Sequence, residues 1–262
     1  MNTNKLVMAA VSCVLALCAN ATSIVNGGFE NGNMTGWNAA IPAVNYGSYQ
    51  QGNFVPNASG PAGTISVAPL FNSSNSFNPA GSIYAPVAGT FFADLGTSSS
   101  GFFEYDPNAL SPYVISVQQS IFLTAGETLS GWAAFVNGDY LAQDKGWVKV
   151  YDNSTGLEIA NPWYACSGNQ TNNGGNQAGG LALAGAGSGS PWQYWQWTAP
   201  TDSFYTIELA AVSAGDDEFD SHALFDNVTV CDATIPDSGG TLGLVGLSLA
   251  GLALFRRRWH VI

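Results

Sequence analysis

The stretch ISVQQSIFLTAGETLSGWAAF, residues 115–135, decides the fold class. Apolar side chains recur there at every second position: Ile115, Val117, Ile121 and Leu123. Gln119 is the one polar residue in that series. A period of two indicates a half-buried β-strand, and TAGE at Thr124–Glu127 predicts a turn into the next strand.

Three later segments extend the same pattern. Val148 and Val150 share one face of GWVKVYD, residues 146–152. Residues 192–212 predict two strands around a Pro-containing turn, and ALFDNVTV, residues 223–230, predicts a closing strand. Residues 40–112 are rich in Gly, Ser, Asn and Pro, and they predict loops with a few strands. The sequence therefore favours an all-β domain.

The charge of the chain is unevenly distributed over its 262 residues. Residues 22–235 hold 2 basic and 17 acidic side chains, a formal charge of 2 − 17 = −15. Such a surface repels the phosphate backbone, which argues against nucleic-acid binding. An acidic surface suits solubility or divalent cations. With 12% aromatic and only 9% charged residues, the composition is not that of a disordered chain.

Both ends of the chain have the composition of targeting segments. Residues 1–21 combine Lys5, an apolar run and the small residues of Ala19–Ala21, which predicts a signal helix cleaved before Thr22. The apolar run of residues 242–255 is 14 residues long. As a helix it would rise about 21 Å, which is short against a bilayer core of ~30 Å.

IPDSG at Ile235–Gly239 is followed by the apolar run of residues 242–255 and then by three arginines. This order of motif, apolar helix and Arg cluster resembles the PEP-CTERM class of bacterial sorting signals, in its VPDSG variant. This resemblance implies a Gram-negative bacterium, an exosortase-type membrane protease as partner, and transient inner-membrane anchoring through residues 242–255. It also implies delivery to the cell surface or extracellular matrix. The residues that would form the signal are Ile235, Pro236, Asp237, Ser238, Gly239, Arg256, Arg257 and Arg258.

The segment between the two ends, residues 24–232, contains in this order NGGFE, AGETLSGW, the W…TAP…YTIEL pair and FDNVTV. These pieces in that order resemble the jelly-roll domain of carbohydrate-binding modules. The full expectation is a jelly-roll β-sandwich flanked by an N-terminal signal helix and a C-terminal short hydrophobic helix. The resemblance also implies a lectin-like scaffold that binds polysaccharide.

In that family the first and last strands often share a structural calcium site. By position, the resemblance assigns the acidic ligands to Glu30 and Asp226, with backbone carbonyls near Asn26 and Gly28 completing the site. Calcium requires several oxygen ligands, and carboxylates supply the charge. The alternative is that Glu30 and Asp226 only cap turns.

Two further groups of residues are candidates for ligand contact. Asp139, Tyr140 and Asp144 could hold a second cation or contact a sugar, although a solvated acidic loop is the simpler interpretation. In the aromatic cluster of residues 192–197, Trp195 and Trp197 share a face and are expected in the core, while Tyr194 takes the other face.

Two cysteines remain after removal of the signal segment. In an oxidising compartment we expect Cys166 and Cys231 to form a disulfide. The loop of about 65 residues would contribute roughly 4 kcal/mol in the chain-entropy model.

No catalytic residues are predicted. Glycoside hydrolysis requires two carboxyl groups across one cleft, and most of the acids lie in Gly- or Asp-rich loops. Glu208 lies on a strand, and we expect it to point to solvent because Ile207 and Leu209 occupy the opposite face. The favoured function is a non-catalytic surface or matrix protein. A surface glycoside hydrolase or lyase, or a purely structural matrix component, are the alternatives.

Overall fold

The computed structural model describes residues 23–50, 53–61, 63–74, 81–97, 113–138, 144–167, 181–183, 189–213 and 220–231. Every regular element in these ranges is a β-strand. The strands are β1 (Asn38–Ala40), β2 (Ala43–Gln50), β3 (Asn53–Pro61), β4 (Gly63–Ala68), β5 (Phe71–Asn72), β6 (Ile83–Tyr84), β7 (Phe92–Thr97), β8 (Tyr113–Leu123), β9 (Thr128–Val136), β10 (Lys145–Asp152), β11 (Leu157–Ser167), β12 (Leu181–Leu183), β13 (Gln193–Thr198), β14 (Ser203–Ser213) and β15 (His222–Cys231).

Two large sheets form a β-sandwich. The six-stranded sheet has the order β1-β8-β14-β10-β11-β12, and the five-stranded sheet has the order β13-β9-β15-β7-β4. All described pairings are antiparallel except that of β11 with β12. The predicted all-β sandwich is therefore confirmed. The expected signal helix and C-terminal helix lie outside the described residues, among which no helix is long and apolar enough to cross a membrane.

The alternation in residues 115–123 has the expected physical basis. Val117, Ile121 and Leu123 project from β8 into the core between the sheets. The antiparallel register places Leu209 of β14 opposite Val117, so the inward positions of both strands are apolar. Buried apolar area of this kind is the main driving force for folding.

Gln119 interrupts the alternation because it has a structural role inside the core. It is only 7% exposed. Its Oε1 accepts a hydrogen bond from Val25 N at 2.7 Å, and its Nε2 donates to Val25 O and Gly36 O at 3.0 and 2.9 Å. These bonds tie the N-terminal segment to β8 and satisfy an amide that would otherwise be buried without partners.

The aromatic cluster of β13 divides between the two faces as predicted. Trp195 is 2% exposed in the core, Trp197 packs against the same core, and Tyr194 is 54% exposed on the opposite face. Trp195 lies directly over Gly131 of β9, where a Cβ would come within 2.7 Å of its ring. Glycine is required there because the indole occupies the space of a side chain.

Residues 40–112 contain more sheet than the sequence indicated. Strands β2 to β7 lie there, and β4 and β7 are integral to the five-stranded sheet. The expectation of loops with a few strands was wrong for this part, because strands rich in Gly, Ser and Asn show no apolar alternation. The apolar positions that matter, Ala93 and Leu95 of β7, are nevertheless fully buried.

Candidate functional site

The outer face of the six-stranded sheet holds a carboxylate fixed by three hydrogen-bond donors. Gln118 Nε2 donates to Oε1 of Glu208 at 2.8 Å. Trp147 Nε1 and the Tyr151 hydroxyl each donate to Oε2 at 3.0 Å. We call these four residues the Glu208 cluster. Hydrogen bonds to a charged acceptor are the stronger ones, so the carboxylate and both rings are held in one arrangement.

The strand register creates this cluster. Glu208 of β14 lies opposite Gln118 of β8 on one side and opposite Lys149 of β10 on the other. Trp147 and Tyr151 flank Lys149 at the next outward positions of β10. Three neighbouring strands therefore converge on one acidic side chain.

An ion pair lies beside the Glu208 cluster. Lys149 forms an ion pair with Glu158 of β11 at 2.8 Å, and its ammonium lies 4.3 Å from the centroid of the Trp147 ring. Both contacts keep Lys149 beside Trp147. A cation over an indole face is a favourable arrangement.

Both tyrosines on this part of the sheet remain hydroxyl donors at ordinary pH. Burial raises the pKa of Tyr151 above its usual value of 10.0, and the charge and hydrogen bond of Glu208 raise that pKa further. Burial also raises the pKa of Tyr164 to about 12, with the neighbouring Cys166 adding to the shift. Each phenol therefore keeps its proton well above neutral pH.

The expectation that Glu208 points freely to solvent was wrong. Its side chain does lie on the face opposite Ile207 and Leu209, but the residue is only 6% exposed. Trp147, Tyr151 and Gln118 cover it. The alternation within β14 gave the correct face, whereas the covering residues belong to strands β8 and β10, whose register the sequence does not reveal.

Glu30 and Asp226 meet the same loop, residues 87–91. Asp226 is fully buried, and its Oδ2 accepts from Val87 N and Ala88 N at 2.6 and 3.0 Å. Glu30 accepts from Thr90 N and Phe91 N at 2.9 to 3.1 Å. These contacts match the turn-capping alternative. They bring together two acids that are far apart in sequence.

The two carboxylates keep hydrogen-bond acceptor capacity beyond these contacts. Burial raises the pKa of Asp226, and the charge of Glu30 raises it further against the lowering effect of three backbone N–H groups. Each carboxylate offers about four lone-pair sites, and only part of that capacity is taken. The described residues contain no group of three or more His, Cys, Asp or Glu suited to a metal, so calcium would depend on backbone oxygens. The calcium site stays a prediction.

Backbone strain is concentrated around this acidic pair. Asn26, Phe29 and Asn227 have φ values of 54°, 58° and 50°. Left-handed conformations are uncommon for residues other than glycine, and for a bulky side chain such as Phe29 they are true outliers. Gly89, at φ 70°, lies against the Glu30 carboxylate, where a Cβ would overlap it. The surrounding contacts hold these residues in backbone conformations that cost free energy.

The predicted disulfide is not formed. Cys166 and Cys231 are both free thiols. Cys166 pairs with Lys145 at the start of β10, whereas Cys231 pairs with Thr128 at the start of β9. They belong to different sheets. They also lie at opposite ends of the sandwich: Cys231 lies beside Thr128, where β9 begins, whereas Cys166 lies beside Lys145, where β10 begins after β9 has ended at Val136. Disulfide geometry requires Cα atoms within about 7 Å.

The remaining sequence candidates are only partly visible. Asp139 and Tyr140 lie outside the described residues, as do the sorting-motif residues 235–239 and 256–258. Asp144 is described and is 2% exposed. Whether the three residues of the predicted ligand-binding trio meet therefore lies outside the described residues.

His222 forms a pair that sequence reasoning missed. Its Nδ1 lies 2.7 Å from Asp94 Oδ1, and its ring packs 4.5 Å from that of Phe71. The two partners are 128 residues apart and meet because β15 pairs with β7. No local signal in the sequence could have joined them.

Comparison with known proteins locates a family match at the C-terminus. Residues 235–259 match the VPDSG-CTERM motif. This chain carries that sorting motif. The motif covers a small part of the chain, and it indicates an exported protein of the cell surface or extracellular space. No curated protein sequence matches the chain significantly.

Solved structures similar to this chain include carbohydrate-binding β-sandwich domains. TmCBM61, in complex with β-1,4-galactotriose, is 14% identical with a TM-score of 0.39, covering 81% of this chain and 99% of that one. The CBM22-1 xylan-binding domain of Paenibacillus barcinonensis Xyn10C is 14% identical with a TM-score of 0.34, covering 81% and 96%. The K3 adhesin domain of Lys-gingipain from Porphyromonas gingivalis W83 is 15% identical with a TM-score of 0.38, covering 80% and 99%.

Proposed function

We propose that this protein is a non-catalytic surface or extracellular-matrix protein whose sandwich binds polysaccharide on the outer face of the six-stranded sheet. The observation that carries the proposal is the Glu208 cluster, a rigid carboxylate between two partly exposed aromatic rings. The carboxylate holds both rings in place, and the apolar faces of a sugar ring pack against aromatic side chains.

The charge of the domain narrows the ligand class. The formal charge of −15 over residues 22–235 repels polyanions. The rings of Trp147 and Tyr151 suit the apolar faces and hydroxyl groups of a neutral polysaccharide. Their hydrogen bonds to Glu208 favour binding because little side-chain freedom is lost when the ligand arrives.

Binding is tested by affinity electrophoresis of the full-length chain through gels containing soluble neutral polysaccharides. We expect retardation of the wild type and at least tenfold weaker binding of Glu208→Gln and Trp147→Ala. Phe204→Ala is the matched control, since it removes a 59% exposed ring from the same face without touching the cluster. Equal retardation of Glu208→Gln and wild type, with folding intact, would reject this site.

The enzymatic alternative is tested on the same panel. A glycoside hydrolase needs two carboxyl groups held about 5 to 9.5 Å apart. We expect no release of reducing sugar. Turnover that disappears in Glu208→Gln would replace the binding proposal with a catalytic one.

Sorting by an exosortase-type protease forms the second part of the proposal. It is supported by the VPDSG-CTERM match at residues 235–259. Replacing Pro236, Asp237 and Ser238 should leave the protein uncut in the inner membrane. Arrival of the altered protein at the cell surface at its normal size would overturn this part.

Calcium at Glu30 and Asp226 forms the third part. The convergence of both acids on residues 87–91 supports it. Chelation should lower the melting temperature, because a ligand bound only by the folded state stabilises that state. Glu30→Gln should remove the response. A melting temperature unchanged by chelation in the wild type would reject the calcium site.

A further inference from the structure

The outer face of the five-stranded sheet displays an aromatic pair that the Glu208 cluster does not use. Trp132 of β9 and Tyr194 of β13 are direct cross-strand neighbours, with ring centroids 5.4 Å apart and planes at 61°. Tyr194 is 54% exposed and Trp132 is partly exposed. Because β13 is the edge strand of its sheet, no strand within the described ranges pairs with the sheet beyond Tyr194.

Polar groups beside these rings have no partner within the described part of the chain. They are the Tyr194 hydroxyl, the Trp132 Nε1 and the exposed Gln196 side-chain amide. On the opposite sheet, by contrast, the indole Nε1 of Trp147 is bound to Glu208. Free donors and acceptors next to an exposed ring are what a sugar requires, since it presents an apolar ring face and hydroxyl groups together.

Uncharged hydroxyl groups continue this surface along the strands. Thr128 and Thr198 form an exposed hydroxyl pair at 2.9 Å, and Ser130 and Thr229 form a part-buried pair at 3.3 Å. Thr128 precedes Trp132 by four residues on β9, a distance of about 13 Å along a strand. The surface is therefore long enough to contact more than one unit of a polymer.

The electrostatics of this surface select a neutral ligand. The outward positions around Trp132 on β9, β13 and β15 are aromatic, hydroxyl, amide, thiol or aliphatic side chains, the last including Ala134 and Leu224, apart from Asp226. Asp226 is fully buried under residues 87 and 88. No cation lies among these positions to attract an acidic polymer, and the formal charge of −15 over residues 22–235 repels one.

We propose that Trp132, Tyr194 and Gln196 form a second binding platform for neutral polysaccharide, on the opposite side of the sandwich from the Glu208 cluster. The inference rests on the proposed polysaccharide-binding function and adds a consequence to it. Sites on opposite outer faces can hold two polymer chains at once. The domain then cross-links polysaccharide, and binding gains from multivalency.

The test uses the full-length chain and soluble neutral polysaccharides, namely a β-glucan, a galactan, a xylan and a galactomannan, with alginate as the anionic control. Light scattering measures cross-linking, and affinity electrophoresis measures binding. We compare wild type, Tyr194→Ala, Tyr194→Phe, Glu208→Gln and the double variant Tyr194→Ala/Glu208→Gln. Phe204→Ala again controls for loss of an exposed ring, and thermal melting verifies that each variant is folded.

We expect Tyr194→Ala to bind about tenfold more weakly, because loss of a stacking ring removes about 1.4 kcal/mol. Tyr194→Phe keeps the ring and should bind within about threefold of the wild type. Tyr194→Ala and Glu208→Gln should each bind without cross-linking, and the double variant should lose both properties, while Phe204→Ala should keep both. Alginate should not bind.

The outcomes separate the two proposals. Cross-linking by Tyr194→Ala at the wild-type level overturns the second platform, while loss of binding in Glu208→Gln still supports the first site. Complete loss of binding in Tyr194→Ala, with Glu208→Gln unaffected, retains the platform and rejects the Glu208 site. Absence of binding by the wild type to every neutral polymer overturns both.

Discussion

The two outer faces of the sandwich use their aromatic pairs differently. On the six-stranded sheet, Trp147 and Tyr151 donate hydrogen bonds to a buried carboxylate. On the five-stranded sheet, Trp132 and Tyr194 meet edge to face with no charged group between them. The first pair of rings is fixed by hydrogen bonds that the folded state needs. The second pair contributes to stability mainly through the contact between its two rings. Removal of the first should therefore affect stability and binding together, whereas removal of the second should affect binding almost alone.

The largest expected loss of stability comes from removing Asp226, the buried acid on the outer face of the five-stranded sheet. Asp226→Ala leaves Val87 N, Ala88 N and Asn227 N without their acceptor. Unsatisfied buried donors are expensive, so we expect the free energy of unfolding to fall by about 3 kcal/mol. Urea denaturation measures it.

Asp202→Ala serves as the control for that change. Asp202 is exposed and accepts a single bond, from Ala125 N at 2.7 Å. Its loss should lower the free energy of unfolding by less than about 1 kcal/mol. Equal effects of the two alanine variants would show that burial of Asp226 has no energetic importance.

The next effect tests the acid of the six-stranded face. Glu208→Ala removes the acceptor of Gln118, Trp147 and Tyr151. These donors lie near the surface and can recover water, so we expect a loss of about 2 kcal/mol. Glu158→Ala breaks an exposed ion pair on the same face and should lose no more than about 0.5 kcal/mol. A loss below that of Glu158→Ala would contradict the comparison of the faces.

Alkaline pH should weaken the face that is built around the carboxylate. Burial and Glu208 raise the pKa of Tyr151 above 10.0. Above pH 10 the unfolded chain releases this proton while the folded chain keeps it, so stability present below pH 10 is lost as pH rises toward the folded-state pKa. Tyr151→Phe should flatten the decline. A stability profile above pH 10 identical in variant and wild type would reject this linkage.

The smallest effect is expected on the uncharged face. Trp132→Ala and Tyr194→Ala each remove one edge-to-face contact, worth about 1 kcal/mol or less at an exposed site. Thermal melting should therefore show both variants folded and only slightly less stable. A loss comparable to that of Glu208→Ala would mean that the rings are structural, and would weaken the assignment of this face to ligand binding.

How far the sequence leads depends on whether a feature is local to one strand. Alternation identified β8 and β10, and it placed Trp195 inward and Tyr194 outward. The same alternation marked Gln119 as an exception without showing that it binds Val25 and Gly36, which lie 94 and 83 residues away. A periodic pattern shows which face a residue takes, but it does not show what that face meets.

Features that depend on pairing between distant strands were missed. Glu208 acquires its three donors from β8 and β10, and Cys166 and Cys231 are separated because their strands belong to different sheets. Register is set by the whole hydrophobic pattern and the turns together. Glu30 and Asp226 form the instructive exception, since the family resemblance supplied a proximity that spacing alone could not.

The position of β15 has a mechanical consequence. This strand lies between β9 and β7 in the interior of its sheet, and it ends at Cys231, four residues before the match to the sorting motif begins. A pull on that end acts along the strand, so the hydrogen bonds to both neighbours are loaded in shear at the same time rather than opened one by one. Resistance to such a load is set by the rate of forced unfolding rather than by equilibrium stability. A domain held through this strand is suited to remain folded while it is under tension.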